Sequence, residues 1–155
     1  MIKHSTATAQ HSDTNMEPLS PDVMHAKDHY MQDGDQIYAG QHIIVDFYNA
    51  KHLTEISIIE KAFRQAIKAA NATLLHIHLH HFTPNDGVSG VAVLAESHIS
   101  VHTWPERHFA AFDIFMCGDA KPLLALEELK KVFLPERVHI ESIRRGIVQN
   151  DEELV

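Results

Sequence analysis

Residues 73–115 read TLLHIHLHHFTPNDGVSGVAVLAESHISVHTWPERHFAAFDIF, and the rhythm of this stretch decides the fold class. From Thr73 to Phe82, histidines alternate with leucine and isoleucine, the period of two that marks a half-buried strand. Val88 to Leu94 is rich in valine and small residues and reads as a second strand. Between them, Thr83-Pro84-Asn85-Asp86-Gly87 has the chemistry of a turn. Ile99 to Thr103 reads as extended, and Phe109 to Phe115 carries apolar side chains on both faces, as a buried strand does.

Outward from this block, His42 to Tyr48 is β-branched and aromatic, a further strand. Ile56, Ile59, Phe63, Ile67 and Ala70 recur at helical spacing, with Thr54 or Ser57 as candidate caps, Ser57 and Glu60 at capping-box spacing, and Asn71 as the stop. After Cys117, Asp119 is placed to cap a second helix with Pro122 in its first turn. Its predicted stripe is Leu123, Leu124, Leu126, Leu129, Val132 and Phe133, and a last strand spans Arg137 to Ile147. The order β-α-β-β-β-β-α-β predicts an α+β fold, a two-layer α/β sandwich with a mainly antiparallel sheet and two helices on one face. Residues 1–36 mix Ser, Thr, Asp, His and Met without period and read as a disordered tail; residues 37–155 read as one domain.

Lys plus Arg number 13 against 21 Asp plus Glu, a net charge of −8, which argues against nucleic acid as the main partner. One cysteine excludes an intrachain disulfide. Neither a signal-peptide core nor an apolar run long enough to span a bilayer stands out, so the expectation is a soluble, cytoplasmic protein without a membrane partner.

Three constellations carry possible chemistry. His76, His78 and His80 share one strand face, a spacing that can converge on zinc, yet no Cys, Asp or Glu on that face completes a set, so no metal site is assigned. A non-enzymatic metal-binding role for this strand and the histidines of the tail (His4, His11, His25, His29) is the alternative outside enzymes. Gly87-Val88-Ser89-Gly90-Val91 falls short of a hydrolase elbow, because residue 91 is not glycine. A Ser97–His102–Asp113 triad lacks the strand-turn-helix context that exposes such a nucleophile. Third, Glu96-Ser97-His98-Ile99-Ser100-Val101-His102-Thr103-Trp104-Pro105-Glu106 packs two carboxylates, two imidazoles, hydroxyls and an indole into eleven positions, with the sole thiol, Cys117, downstream. Ser97 and His102 are an odd number of residues apart, so their cooperation within one strand requires a bend or bulge between them. Taken singly, Cys117 and Trp104 read as core filling, and Ser100 and Thr103 as ordinary strand residues.

In order, this run resembles the self-cleavage motif of the prokaryotic S-adenosylmethionine decarboxylases. Phe82, Gly87-Val88-Ser89-Gly90, Ala110-Ala111-Phe112-Asp113-Ile114-Phe115 and Cys117-Gly118 match further, and the similarity runs from about Ala39 to Gly146. The resemblance implies a pyruvoyl enzyme cut between Glu96 and Ser97, with Ser97 the precursor of the covalent pyruvoyl group. His102 and Ser89 match the family's processing residues, and Cys117 matches the proton donor to the substrate α-carbon. Phe82 and Trp104 match aromatics that stack on adenine, one of them from the neighbouring subunit, and Glu106 matches a carboxylate on the ribose. The implied activity is decarboxylation of S-adenosylmethionine, through an imine with the pyruvoyl ketone, to the aminopropyl donor for spermidine, by a homodimer of cleaved protomers. Relatives that decarboxylate ornithine or arginine are the alternative, because they share the processing machinery. The chain departs from the short-chain pattern at Pro84-Asn85-Asp86-Gly87, one residue longer than the usual Pro-x-Gly, and at Arg107-His108-Phe109. Arg107 adds a cation where a sulfonium substrate is disfavoured unless the side chain points to solvent.

Overall fold

The computed structural model describes residues 30–148. Its elements are β1 (Met31–Asp33), β2 (Gln36–Tyr48), α1 (Ile56–Ala69), β3 (Leu74–His81), β4 (Val88–Leu94), β5 (Ser97–Trp104), a 3-10 turn (Pro105–Arg107), β6 (Phe109–Cys117), α2 (Pro122–Phe133) and β7 (Arg137–Ile147). All strand pairs are antiparallel: β3-β4-β5-β6-β2 run in that order, and β7 and β1 also pair with β2. The two-layer α+β architecture is as the alternation predicts. Ordered chain begins earlier than Ile37, however, because Met31–Asp33 pairs with Gln36–Tyr38 through a turn at Gly34 (φ 59°). The tail histidines lie outside the described residues.

Alternation sorts the sheet into two faces. Ile43, Val45, Phe47, Ala92, Ile99, Val101, Phe112 and Ile114 are buried on one face, against α1 and α2. From α1 come Ile59, Ala62, Phe63, Ala66 and Ile67; from α2 come Ala125, Leu126, Leu129 and Phe133. Full burial of Phe63 or Phe133 contributes roughly 2–3 kcal/mol each. The opposite face carries His42, Ile44, His98, Ser100, His102, Trp104, Asp113 and Phe115, and no described helix covers it.

Several local expectations give way to packing. Glu55, not Thr54 or Ser57, holds the N-cap of α1 without a side-chain capping bond, its carboxylate being engaged by His52 Nδ1 at 2.9 Å. Asn71 follows α1 in the left-handed conformation (φ 58°), as a helix stop does. Lys121, not Asp119, is the N-cap of α2; its N–H donates to Ala70 O at 2.9 Å and ties the two helices together. Leu123 and Leu124 are exposed, because the buried stripe of α2 begins at Pro122 and continues through Ala125 and Leu126.

Candidate active site

The β4–β5 hairpin closes through Ala95-Glu96, with Leu94 opposite Ser97. Glu96 takes a left-handed conformation (φ 58°), which costs a non-glycine residue about 1 kcal/mol. The peptide bond that follows it is the one to Ser97, so backbone strain sits directly beside the predicted cleavage point. Ser97 is buried on the helix-facing side, and its Oγ accepts the Cys117 backbone N–H at 3.2 Å across the β5–β6 ends. Glu96, Ser97, Cys117, Thr73 and Asp119 line one cavity of about 280 Å³. Burial first, and the Glu96 carboxylate second, push the Cys117 thiol above its ordinary range, so the group is a protonated donor at neutral pH.

A second group gathers at the other end of β5. Ser89 and His102 are cross-strand partners, and Ser89 Oγ lies 2.7 Å from His102 Nδ1 in a hydrogen bond that leaves Nε2 available. Phe82, Asn85, Trp104 and Glu106 join them around a cavity of about 260 Å³. Phe82 and Trp104 are 48% and 41% exposed, so each ring presents surface to a ligand. Trp104 packs on Phe109 (centroids 5.2 Å apart), and Phe82 meets the edge of His80 at 4.6 Å. Arg107 is exposed and does not line the cavity. Thr103, between His102 and Trp104, is buried: its Oγ1 donates to Leu53 O and accepts the Val88 N–H, both at 2.8 Å.

The two groups do not meet within one chain. Strand β5 pairs continuously with β4 and β6 between Ser97 and His102, so the bend or bulge expected there is absent. Five extended residues separate the two positions by about 16 Å, with Ser97 facing the helices and His102 the open face. A Ser97–His102–Asp113 triad is likewise not assembled: Asp113 accepts from Ser100 Oγ at 3.1 Å and bonds His42 Nε2 at 3.0 Å. His76, His78 and His80 share the open face, but among the described residues no group of three or more His, Cys, Asp or Glu is arranged to hold a metal ion.

Asn85 lies in the turn where the sequence departs from the family pattern, whereas sequence reasoning missed Thr103 and Asp119 as neighbours of the two cavities. It also missed the His42–Asp113–Ser100 cluster, where His98 packs on His42 (ring centroids 6.0 Å apart). Burial and the neighbouring His42 lower the His98 pKa; Asp113 opposes them and Arg145 adds to them. No periodic signal links residues so far apart along the chain.

The family model for S-adenosylmethionine decarboxylase matches residues 41–146. An S-adenosylmethionine decarboxylase proenzyme of Methanococcus maripaludis is 44% identical over 116 residues, covering 73% of this chain and 94% of its own. That of Thermomicrobium roseum is 39% identical over 110 residues, 70% and 95% of the two chains. The crystal structure of the adenosylmethionine decarboxylase from Aquifex aeolicus superposes with a TM-score of 0.66 at 33% identity, over 74% of this chain and 96% of that one. No helix among the described residues is long and apolar enough to cross a membrane.

Proposed function

The chain belongs to the S-adenosylmethionine decarboxylase family, and we propose that it is a self-cleaving proenzyme that decarboxylates S-adenosylmethionine. The observation that carries this reading is the pairing of Ser97 Oγ with Cys117 N–H directly after the left-handed Glu96. It gathers the scissile bond, its nucleophile and the sole thiol in one cavity.

Processing follows from the groups present. Ser97 Oγ attacks the Glu96 carbonyl carbon, the C–N bond breaks, and an ester joins Glu96 to the Ser97 oxygen. Loss of the Ser97 α-proton expels the Glu96 carboxylate and leaves dehydroalanine. Tautomerisation and addition of water then release ammonia and leave a pyruvoyl group at residue 97. The residues at the site fit that group: its carbons are those of Ser97, and the Cys117 N–H meets the Ser97 oxygen that departs with the Glu96 carboxylate. When formed, the group supplies an electron sink for the bond to the departing carboxylate. Cys117, kept protonated, holds the proton destined for the substrate α-carbon.

His102 and Ser89 supply proton transfer for processing. Because they lie about 16 Å from Ser97 along β5, the complete site is built by two copies of the chain, the Ser89–His102 pair of one serving Ser97 of the other. The uncovered sheet face supports a homodimer. It carries exposed Ile44, Val93, Trp104 and Ile143, and in the same dimer the cavity with Phe82, Trp104 and Glu106 receives the nucleoside. The aromatic faces attract the cationic sulfonium, and Glu106 accepts from the ribose hydroxyls. Arg107, turned to solvent, does not oppose the sulfonium. The product is the aminopropyl donor for spermidine synthesis, which places the enzyme in polyamine biosynthesis in the cytoplasm. Retention of Phe82, Trp104 and Glu106 around one cavity favours this substrate over ornithine or arginine, which have no base to stack.

Intact mass of the purified protein tests the reading: cleavage of the 155-residue chain after Glu96 should give chains of 96 and 59 residues, the shorter one blocked at residue 97. Ser97→Ala should remain one chain and release no carbon dioxide. A wild-type protein that stays uncut removes the basis of the proposal.

A further inference from the structure

The turn between β3 and β4 holds one polar group that the reading above leaves unused. We propose that the Asn85 carboxamide reads the polar edge of the substrate's purine and so selects a 6-aminopurine nucleoside. The inference rests on the S-adenosylmethionine reading and names the contact that would make it selective.

Asn85 lines the same cavity as Phe82, Trp104 and Glu106. The other polar side chains there are committed or one-sided. Ser89 and His102 Nδ1 bond each other at 2.7 Å, which leaves the imidazole a single further nitrogen. The Thr103 hydroxyl both donates and accepts within the fold. Glu106, as a carboxylate, only accepts. Asn85 alone presents a donor and an acceptor side by side, and its side chain makes no hydrogen bond with another described residue.

The turn that carries Asn85 is anchored at both ends. Phe82 N–H donates to Gly87 O at 2.8 Å, and His81 Nε2 lies 3.4 Å from Asp86 Oδ1. Gly87 is buried against β5, where a Cβ would come within 2.9 Å of Thr103 O. These ties hold Asn85 beside the two exposed rings. Stacking on Phe82 and Trp104 is indifferent to the identity of a base, because every base has a π-face. Discrimination needs an edge contact, and a carboxamide pairs in bidentate fashion with adenine, accepting from the 6-amino group and donating to the adjacent ring nitrogen.

The test compares decarboxylation by wild type, Asn85→Ala and Asn85→Asp. The substrates are S-adenosylmethionine and its analogue whose purine lacks the 6-amino group. Asn85→Ala should raise KM for S-adenosylmethionine about tenfold, equivalent to about 1.4 kcal/mol, with kcat within about twofold. Cleavage at Glu96-Ser97 should proceed as in wild type. Asn85→Asp, which keeps the size and loses the donor, should also raise this KM. With the analogue, wild type and Asn85→Ala should differ by less than about threefold, since one of the two hydrogen bonds is already missing. Equal KM values on S-adenosylmethionine overturn the inference alone. So does an equal penalty on both substrates, or a joint loss of cleavage and turnover. A cleaved wild type that leaves S-adenosylmethionine untouched overturns the substrate reading, and this inference falls with it.

Discussion

Replacing Thr103 by valine isolates a single hydroxyl that ties the Ser89–His102 end of the sheet to the rest of the fold. Thr103 is 7% exposed, and its partners are equally enclosed, Leu53 at 5% and Val88 at 0%. Valine keeps the shape and removes the oxygen. The Leu53 carbonyl loses its donor and the Val88 N–H loses its acceptor, each 2.8 Å from Oγ1. A buried polar group left without a partner costs about 1–3 kcal/mol. The buried methyl that replaces the hydroxyl returns about 0.8 kcal/mol. The net loss is therefore about 1–5 kcal/mol, which for a domain of this size lowers Tm by roughly 4–20 °C. Urea unfolding in a Ser97→Ala background keeps the chain in one piece, and a fixed protomer concentration removes mass-action effects. The midpoint should fall while the slope is preserved. A loss below about 0.5 kcal/mol would refute the claim that this hydroxyl holds β4, β5 and the loop before α1 together.

Alkylation of the single thiol in uncleaved Ser97→Ala should show a pH midpoint above that of an ordinary free cysteine, and Glu96→Gln should lower it while burial still keeps it raised. A midpoint at or below the ordinary value contradicts the environment assigned to Cys117. The folded His98 binds protons less readily than in the unfolded chain. Stability should therefore fall as pH drops below about 6.5 and level off below the lowered folded value. His98→Gln should flatten this acid-side loss of urea midpoint, and an equally steep loss in the variant sinks the assignment. Co-expressing Ser97→Ala with His102→Ala tests the shared site: mixed dimers should contain cleaved His102→Ala chains, although neither variant cleaves alone. Complete absence of cleavage in the mixture places Ser97 and His102 in the same chain's site.

Much of the architecture was legible because it is written in local periodicity. Leucine and isoleucine between the histidines of β3, and the spacing of Ile59, Phe63 and Ile67 in α1, each need only neighbours along the chain to be read. Helix starts were less legible. Glu55 and Lys121 occupy the caps through contacts with His52 and Ala70 that no capping pattern encodes. Leu123 and Leu124 read as core, yet the buried stripe of α2 runs through Pro122, Ala125, Leu126, Leu129 and Phe133 and leaves them exposed. Thr103 read as an ordinary strand threonine because its partners lie 50 and 15 residues away.

The ordered run from Glu96 to Glu106, with Ser89 before it and Cys117 after it, identified by sequence alone which side chains to watch and which peptide bond to suspect. It could not say which of them meet. That was decided by an unbroken β5, whose pleat sends Ser97 and His102 to opposite faces and whose length holds them about 16 Å apart. Pairing with β6 brings Cys117 to Ser97, and pairing with β4 brings Ser89 to His102. Motif order is a property of the chain. Contact is a property of strand register and pleat, which form only when separate segments hydrogen-bond side by side.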